Sequence, residues 1–196
     1  MKASIALAAA GVLAALAGCT SLSSGAPPST PAANAVARST EEGGRFITLV
    51  GPRRPHGEPF LGVPGTNFSA LRSSIDAKTG EMVHQLYVED SYFGAERGWN
   101  AARDTTGQSL RFIPIGKNQI TCENGCSYAE EFAAVLPEAL LRANPQGLTV
   151  VFTARSGAAK TISVPAGLVG KQLAALGEMR AALPVAAAAA SPAPQR

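Results

Sequence analysis

Two cysteines four positions apart, in Cys122-Glu-Asn-Gly-Cys126, are the side chains of this sequence best suited to chemistry. A dithiol can cycle between oxidation states, hold a soft metal ion, or close into a disulfide that fixes a turn. Redox pairs favour Cys-x-x-Cys at a helix start within a βαβ pattern, and neither spacing nor context matches here. A copper-carrying pair needs a further His ligand. His56 and His84 both lie upstream, so only the fold can bring one close. His56 falls in a Pro/Gly-rich stretch and is expected to be solvated. His84 falls within a strand and is expected to be a hydrogen-bonded packing residue. The adjacent carboxylates Glu89-Asp90 and Glu130-Glu131 do not read as acid–base couples, because neighbours on a strand point to opposite faces. A solvated surface is the expected setting for both pairs. Tyr92, Phe93 and Trp99, in a stretch with two glycines, are a candidate platform for stacking a sugar or lipid, or else a lid of core aromatics. Neither a Ser nucleophile elbow nor a Gly-rich phosphate loop is present.

The third thiol, Cys19, closes an apolar leader. Lys2 is a positive start, and Ile5 to Leu16 is shorter than the about 20 apolar residues that span a bilayer, so residues 1–18 read as a secretory signal. Leu16-Ala17-Gly18-Cys19 resembles the lipobox of bacterial lipoproteins. That resemblance implies cleavage before Cys19, a diacylglyceryl group on its sulfur, and acyl chains such as palmitate that together anchor the chain stably. Thr20, where inner-membrane retention uses Asp, implies the periplasmic face of the outer membrane. An ordinary secreted protein with an incidental cysteine is the alternative. In an oxidising compartment, Cys122 and Cys126 are expected to form a structural disulfide about the Asn124-Gly125 turn. A redox or metal-carrying role for the same pair remains the alternative.

Composition bounds the rest. The formal charge is +3 over the 196-residue chain, and losing Lys2 with the leader brings it nearer neutral. With basic residues scattered, no nucleic-acid partner is expected. Nothing in the sequence calls for a cofactor or a resident metal. Residues 20–40 hold almost no large apolar side chain and cannot offset their ordering entropy. Residues 19–43 are therefore expected to be a lipidated Cys with a disordered tether. Residues 181–196, rich in Ala and Pro, are an expected disordered tail. Every aromatic residue lies between Phe46 and Phe152, which places one β-rich domain at 44–180.

Within it, Arg45 to Val50 reads as a strand, and 51–66 as a loop with four prolines and four glycines. Phe68–Ile75 and Glu81–Asp90 flank the hairpin turn Asp76-Ala-Lys-Thr-Gly80. Met82, His84, Leu86 and Val88 share one face of the second strand. Leu110–Ile115 and Gln119–Cys122 suggest a hairpin around Gly116-Lys117-Asn118. Leu148–Ala154 and Thr161–Val164 suggest another around Arg155-Ser-Gly157. Pro137–Ala143 reads as a short helix ending at Asn144-Pro145, and Pro165–Leu176 as a helix with Val169, Leu173 and Leu176 on one face. Residues 127–136 fit both a helix capped by Ser127 and Glu130 and a strand. Pro137 tips the balance toward the strand. The expected fold is mainly β, or α+β: antiparallel hairpins in a sandwich or rolled sheet, with two short helices in the C-terminal half.

The second half resembles the invasion-associated locus B family of bacterial envelope proteins over residues 112–176. The shared features are Cys122 with Gly125-Cys126, the apolar Leu136–Leu141, the strand from Leu148 and the helix near Leu168–Leu176. Val169-Gly170-Lys171 stands where that family carries a Gly-Phe segment. The resemblance implies a β-rich extracytoplasmic domain with a structural disulfide and a non-enzymatic envelope or host-contact role. Together these features predict a cell-envelope lipoprotein whose periplasmic domain binds an envelope component: protein, peptidoglycan or lipid.

Overall fold

Strands of alternating apolar and polar residues build two antiparallel sheets over a shared core. The computed structural model describes residues 35–123 and 125–182. The leader, Cys19, most of the expected tether and residues 183–196 lie outside them. The larger sheet runs in the order β1 (Ala37–Glu41), β2 (Phe46–Val50), β4 (Phe68–Asp76), β5 (Met82–Phe93), β9 (Ser127–Val135), β8 (Phe112–Thr121), with the short β3 (Arg54–Pro55) beside the start of β4. The smaller sheet runs β11 (Ala159–Pro165), β10 (Gly147–Ala154), β6 (Trp99–Asp104), β7 (Ser109–Leu110). The chain passes from one sheet to the other at Arg111, between β7 and β8. Two helices follow, α1 (Glu138–Ala143) and α2 (Ala166–Ala182). The protein is mainly β, as its hairpin pattern predicts.

The inner faces follow from period two. Leu71 of β4, Leu86 and Val88 of β5, and Phe132 and Ala134 of β9 meet Val150, Phe152, Ile162 and Val164 of the small sheet in one cluster. Phe132 is its hub, 5.0 Å from Phe152 and 5.3 Å from Trp99 between ring centroids. The small sheet does not cover β2, and α2 does so instead. Val169, Gln172, Leu176 and Met179 are its buried residues, at helical spacing. Leu176 and Met179 close a second cluster over Ile47, Leu49 and Ile75. Gly147, at φ 108, is tightly enclosed. A Cβ there would lie 2.6 Å from the Val164 carbonyl oxygen.

Several boundaries move. Residues 37–41 lack core-forming side chains and read as tether, yet they form β1, paired throughout with β2. Backbone pairing to an existing strand needs no apolar payload, and β1 is exposed along most of its length. Gly116-Lys117-Asn118 is not a turn. β8 runs through it, and Gly116 falls at a register irregularity opposite Glu131, where a glycine is easily absorbed. β8 ends at Thr121 and β9 begins at Ser127, with Cys122 and Cys126 between them. Residues 127–135 are strand, with Glu130, Phe132 and Ala134 inward. Helix α2 continues past Leu176 to Ala182. Among the described residues no helix is long and apolar enough to cross a membrane.

Candidate functional site

The sandwich buries charge at one end. β5 and β9 pair so that Asp90 stands opposite Glu130 and Glu89 opposite Glu131. Each adjacent acidic pair therefore splits between faces, and pairing across the ladder then brings two carboxylates together on each. Asp90, Glu130 and Glu89 are buried, contrary to the expected solvated surface. The reason is phase. Asp90 continues the inward Leu86–Val88 register and Glu130 the inward Phe132–Ala134 register.

Buried carboxylates need donors, and the segment between β5 and β6 supplies them. Asp90 Oδ2 accepts from Trp99 Nε1 at 3.0 Å and from Arg97 Nη1 at 2.7 Å. Its Oδ1 accepts from Lys160 Nζ on β11, in the facing sheet. Glu130 Oε1 accepts from the Gly98 amide at 3.0 Å and from the Tyr92 hydroxyl, and Oε2 from the Trp99 amide at 3.1 Å. The Arg97 guanidinium stacks over the Tyr92 ring at 3.9 Å. Burial, then the bond to Glu130, hold the Tyr92 phenol well above its usual pKa.

His56 joins this cluster from the long loop. Its Nε2 lies 2.7 Å from the Glu89 carbonyl oxygen, which can only accept, so Nε2 carries the proton. Nδ1 is then left to accept from Lys160 Nζ at 3.2 Å. Burial, and then the neighbouring Lys160 charge, push the imidazole pKa below its ordinary value. His56 is thus part-buried and engaged rather than solvated. His84 is buried, with Nδ1 3.0 Å from Ser73 Oγ and Nε2 3.5 Å from Glu138 Oε2. Burial lowers its pKa and Glu138 opposes that shift. Gln172 of α2 donates to the same Ser73 Oγ at 2.8 Å, which ties the helix to β4.

Beside the acidic cluster, between β8 and the β5–β6 connection, a cleft of about 300 Å³ opens. Trp99, Phe112 and Phe132 give it an apolar wall, Glu130 lies at its inner side, and Arg155 and Ile115 line it further out. Lys117 Nζ and Glu96 Oε1, 2.7 Å apart, form an ion pair on its rim.

Of the three aromatic platform candidates, Tyr92 and Trp99 meet around Glu130 and Arg97, and Phe93 stands apart. Trp99 lines the cleft and Tyr92 is buried behind Arg97. Phe93, next to Tyr92 on a strand, points the other way and meets Phe60 at 4.8 Å. Cys122 and Cys126 are joined by a disulfide at the tip of the β8–β9 hairpin. Both histidines are held elsewhere by the contacts above. Cys19 lies outside the described residues, and among those described no three His, Cys, Asp or Glu side chains are grouped to share a metal ion. Lys160, Arg97 and Arg155 escaped sequence reasoning because nothing local marks them. Asp90 and Glu130 carried a usable signal in their phase with apolar neighbours.

Fold and site define the class only as a two-sheet sandwich with a clamped acidic end and an edge cleft. Comparison with known proteins finds no matching family model, no similar curated protein and no similar solved structure.

Proposed function

We propose that this chain is a bacterial envelope lipoprotein, anchored through Cys19 at the periplasmic face of the outer membrane. Its sandwich acts by binding an extended segment of another envelope protein along β8. The observation that carries the binding reading is the free edge of β8 beside the cleft. β8 ends its sheet, paired with β9 on one side only, and is exposed through most of its length. Ile115 and Ile120 stand out from it, each nearly half exposed. An incoming strand gains main-chain hydrogen bonds at such an edge and places alternate side chains in the adjoining pocket. Pro114 and two register irregularities break up the edge, which limits indiscriminate pairing. The clamped carboxylates suit this role, since their lone pairs are committed to internal donors that stiffen the cleft.

The test is a photo-cross-linking residue at Ile115 in the full lipidated chain, expressed in living cells, with Arg38 on β1 as control. One envelope protein captured from position 115, absent from position 38 and lost on Ile120→Asp, is the expected result. Adducts with glycan or lipid alone, or none, would overturn the reading.

A further inference from the structure

Among the described residues, the large apolar side chains left exposed fall in two places. Ile115 and Ile120 belong to β8. The others are Leu61, Val63 and Phe93, exposed by 65%, 52% and 58%. We propose that these three form a tip that inserts into the interface of a bilayer bearing anionic headgroups.

The tip is built, not merely loose. A single tight turn covers Phe60–Gly62, with the Val63 amide bonded to the Phe60 carbonyl at 2.9 Å. Thr66 Oγ1 closes the loop, accepting from the Phe60 amide and donating to the Val63 carbonyl, both at 2.8 Å. Below it, the Asn67 side chain donates to the Glu58 carbonyl at 2.8 Å, and the His56 amide to the Asn67 carbonyl at 2.9 Å. Phe60 is buried beneath Phe93. On this stapled base Leu61 adopts φ 52, a left-handed backbone that costs a branched residue about 1 kcal/mol or more. A position that favours Gly or Asn carries Leu, with most of its side chain turned to water. Backbone strain combined with exposed apolar surface is the pattern of a contact site.

Two features select a bilayer as the occupant. Charge is the first: the loop carries Arg53 and Arg54, both exposed, against the single acid Glu58. The Arg53 guanidinium stacks over Phe68 at 4.3 Å, beside Gly65 of the tip, where it can meet phosphate oxygens. The second is the path of the chain. Ala37, first residue of β1, pairs with Val50, last residue of β2, and the loop bearing the tip departs from Val50. Ala37 therefore opens β1 at the end of the sheet that bears the tip, and Val36 just before it packs against α2. If Cys19 is acylated, as proposed above, anchor and tip address the same membrane. The inference rests on that reading for its membrane, and on the tip's own geometry for its contact.

The experiment uses the full chain with vesicles of phosphatidylethanolamine and phosphatidylglycerol. Leu61→Trp reports depth through quenching by brominated acyl chains, against the wild-type signal of buried Trp99. Mass spectrometry of the N-terminal peptide reports acylation of Cys19. Quenching with acylation is expected. Acylation without quenching overturns the tip and leaves the anchor; quenching without acylation does the reverse; neither overturns both. A structural role for Leu61 is separated by Leu61→Asn/Val63→Ser in a Cys19→Ser background. Asn suits the left-handed backbone, so melting temperature should hold or rise while vesicle partition falls at least about tenfold. A fall in melting temperature with unchanged partition would overturn the proposal.

Discussion

Asp90→Ala tests whether the acidic end of the sandwich is a clamp. The Asp90 side chain is 1% exposed, while its partners Lys160 and Arg97 keep 20% and 31% of their side-chain surface. Removing the carboxylate leaves a buried indole N–H without an acceptor, and two cations facing each other across the gap. Breaking a fully buried ion pair costs about 3–5 kcal/mol. Partial access of both cations to water places this case near the lower figure, about 3 kcal/mol. In a domain of about 150 residues, that corresponds to a fall in melting temperature of roughly 6–12 °C. The assay is urea unfolding and thermal melting at neutral pH, followed by Trp99 emission, with amide exchange at Gly98 and Trp99 as the local readout. Asp90→Asn keeps an acceptor for the indole and should lose less. A loss under about 1 kcal/mol for Asp90→Ala, with Gly98 and Trp99 exchange unchanged, would refute the clamp, since that is the scale of a solvated surface pair.

His56 resists protonation in the folded chain while the unfolded chain takes up a proton at its ordinary pKa of 6.5. Its contribution to stability is therefore present above that value and lost as pH falls below it. NMR titration should place the ring below 6.5, and His56→Gln should flatten the pH dependence of unfolding there. Glu138, held at about 2 by its bonds to Arg180 and Arg142 against an ordinary 4.5, contributes stability above 4.5 that disappears as pH falls toward 2. Acid titration of Glu138→Gln should lack that component. Cys122→Ser with Cys126→Ser opens a very short loop and should cost about 2 kcal/mol by loop-closure entropy, read as a shifted urea midpoint. Phe132→Ala, at the meeting of Trp99 and Phe152, should cost about 3–5 kcal/mol in the same assay.

Local sequence carried most of the hairpins. The Asp76–Gly80 and Arg155–Gly157 turns join the strands that their chemistry suggests, because Asp76 Oδ1 accepts the Lys78 amide at 2.8 Å and Gly157 takes φ 85. Helix α1 starts after Pro137 and stops at Asn144, whose side chain donates to the Leu140 carbonyl at 2.8 Å. β1 stayed hidden, since an edge strand of polar residues leaves no periodic signature. The Gly116 segment misled because a glycine absorbed in a bulge and a glycine in a turn look alike in sequence. The acidic site was half legible. Phase alone places Asp90 and Glu130 on apolar faces, but the pairing of β5 with β9, 40 residues apart at Asp90 and Glu130, is set by tertiary packing. Lys160 reaches Asp90 across the sandwich, a contact that no local pattern announces.

The two acidic pairs have a common consequence for the surfaces assigned above. Inward, Asp90 and Glu130 hold residues 97–99, the segment that forms one side of the cleft. Outward, Glu89 accepts from the Asn67 amide and the Ser91 hydroxyl, and Asn67 in turn accepts the Ser91 amide at 2.8 Å. These bonds fix the neck of the loop that carries Leu61 and Val63. Glu131 accepts the Tyr87 hydroxyl at 2.5 Å on the same outer face, where Arg72 stacks over Tyr87 at 3.6 Å. His56 links the faces, since it belongs to the loop yet contacts Lys160 of the small sheet. Cleft and tip are thus tied to consecutive residues of one strand, β5. Loosening of the inner clamp should reach the loop through Lys160 and His56, whereas Glu89→Gln should free the loop neck and leave 97–99 in place. Amide exchange separates the cases. Asp90→Ala should release both Gly98 and His56, while Glu89→Gln should release Asn67 and Ser91 alone. Identical exchange patterns in the two variants would show that the faces are not separately clamped.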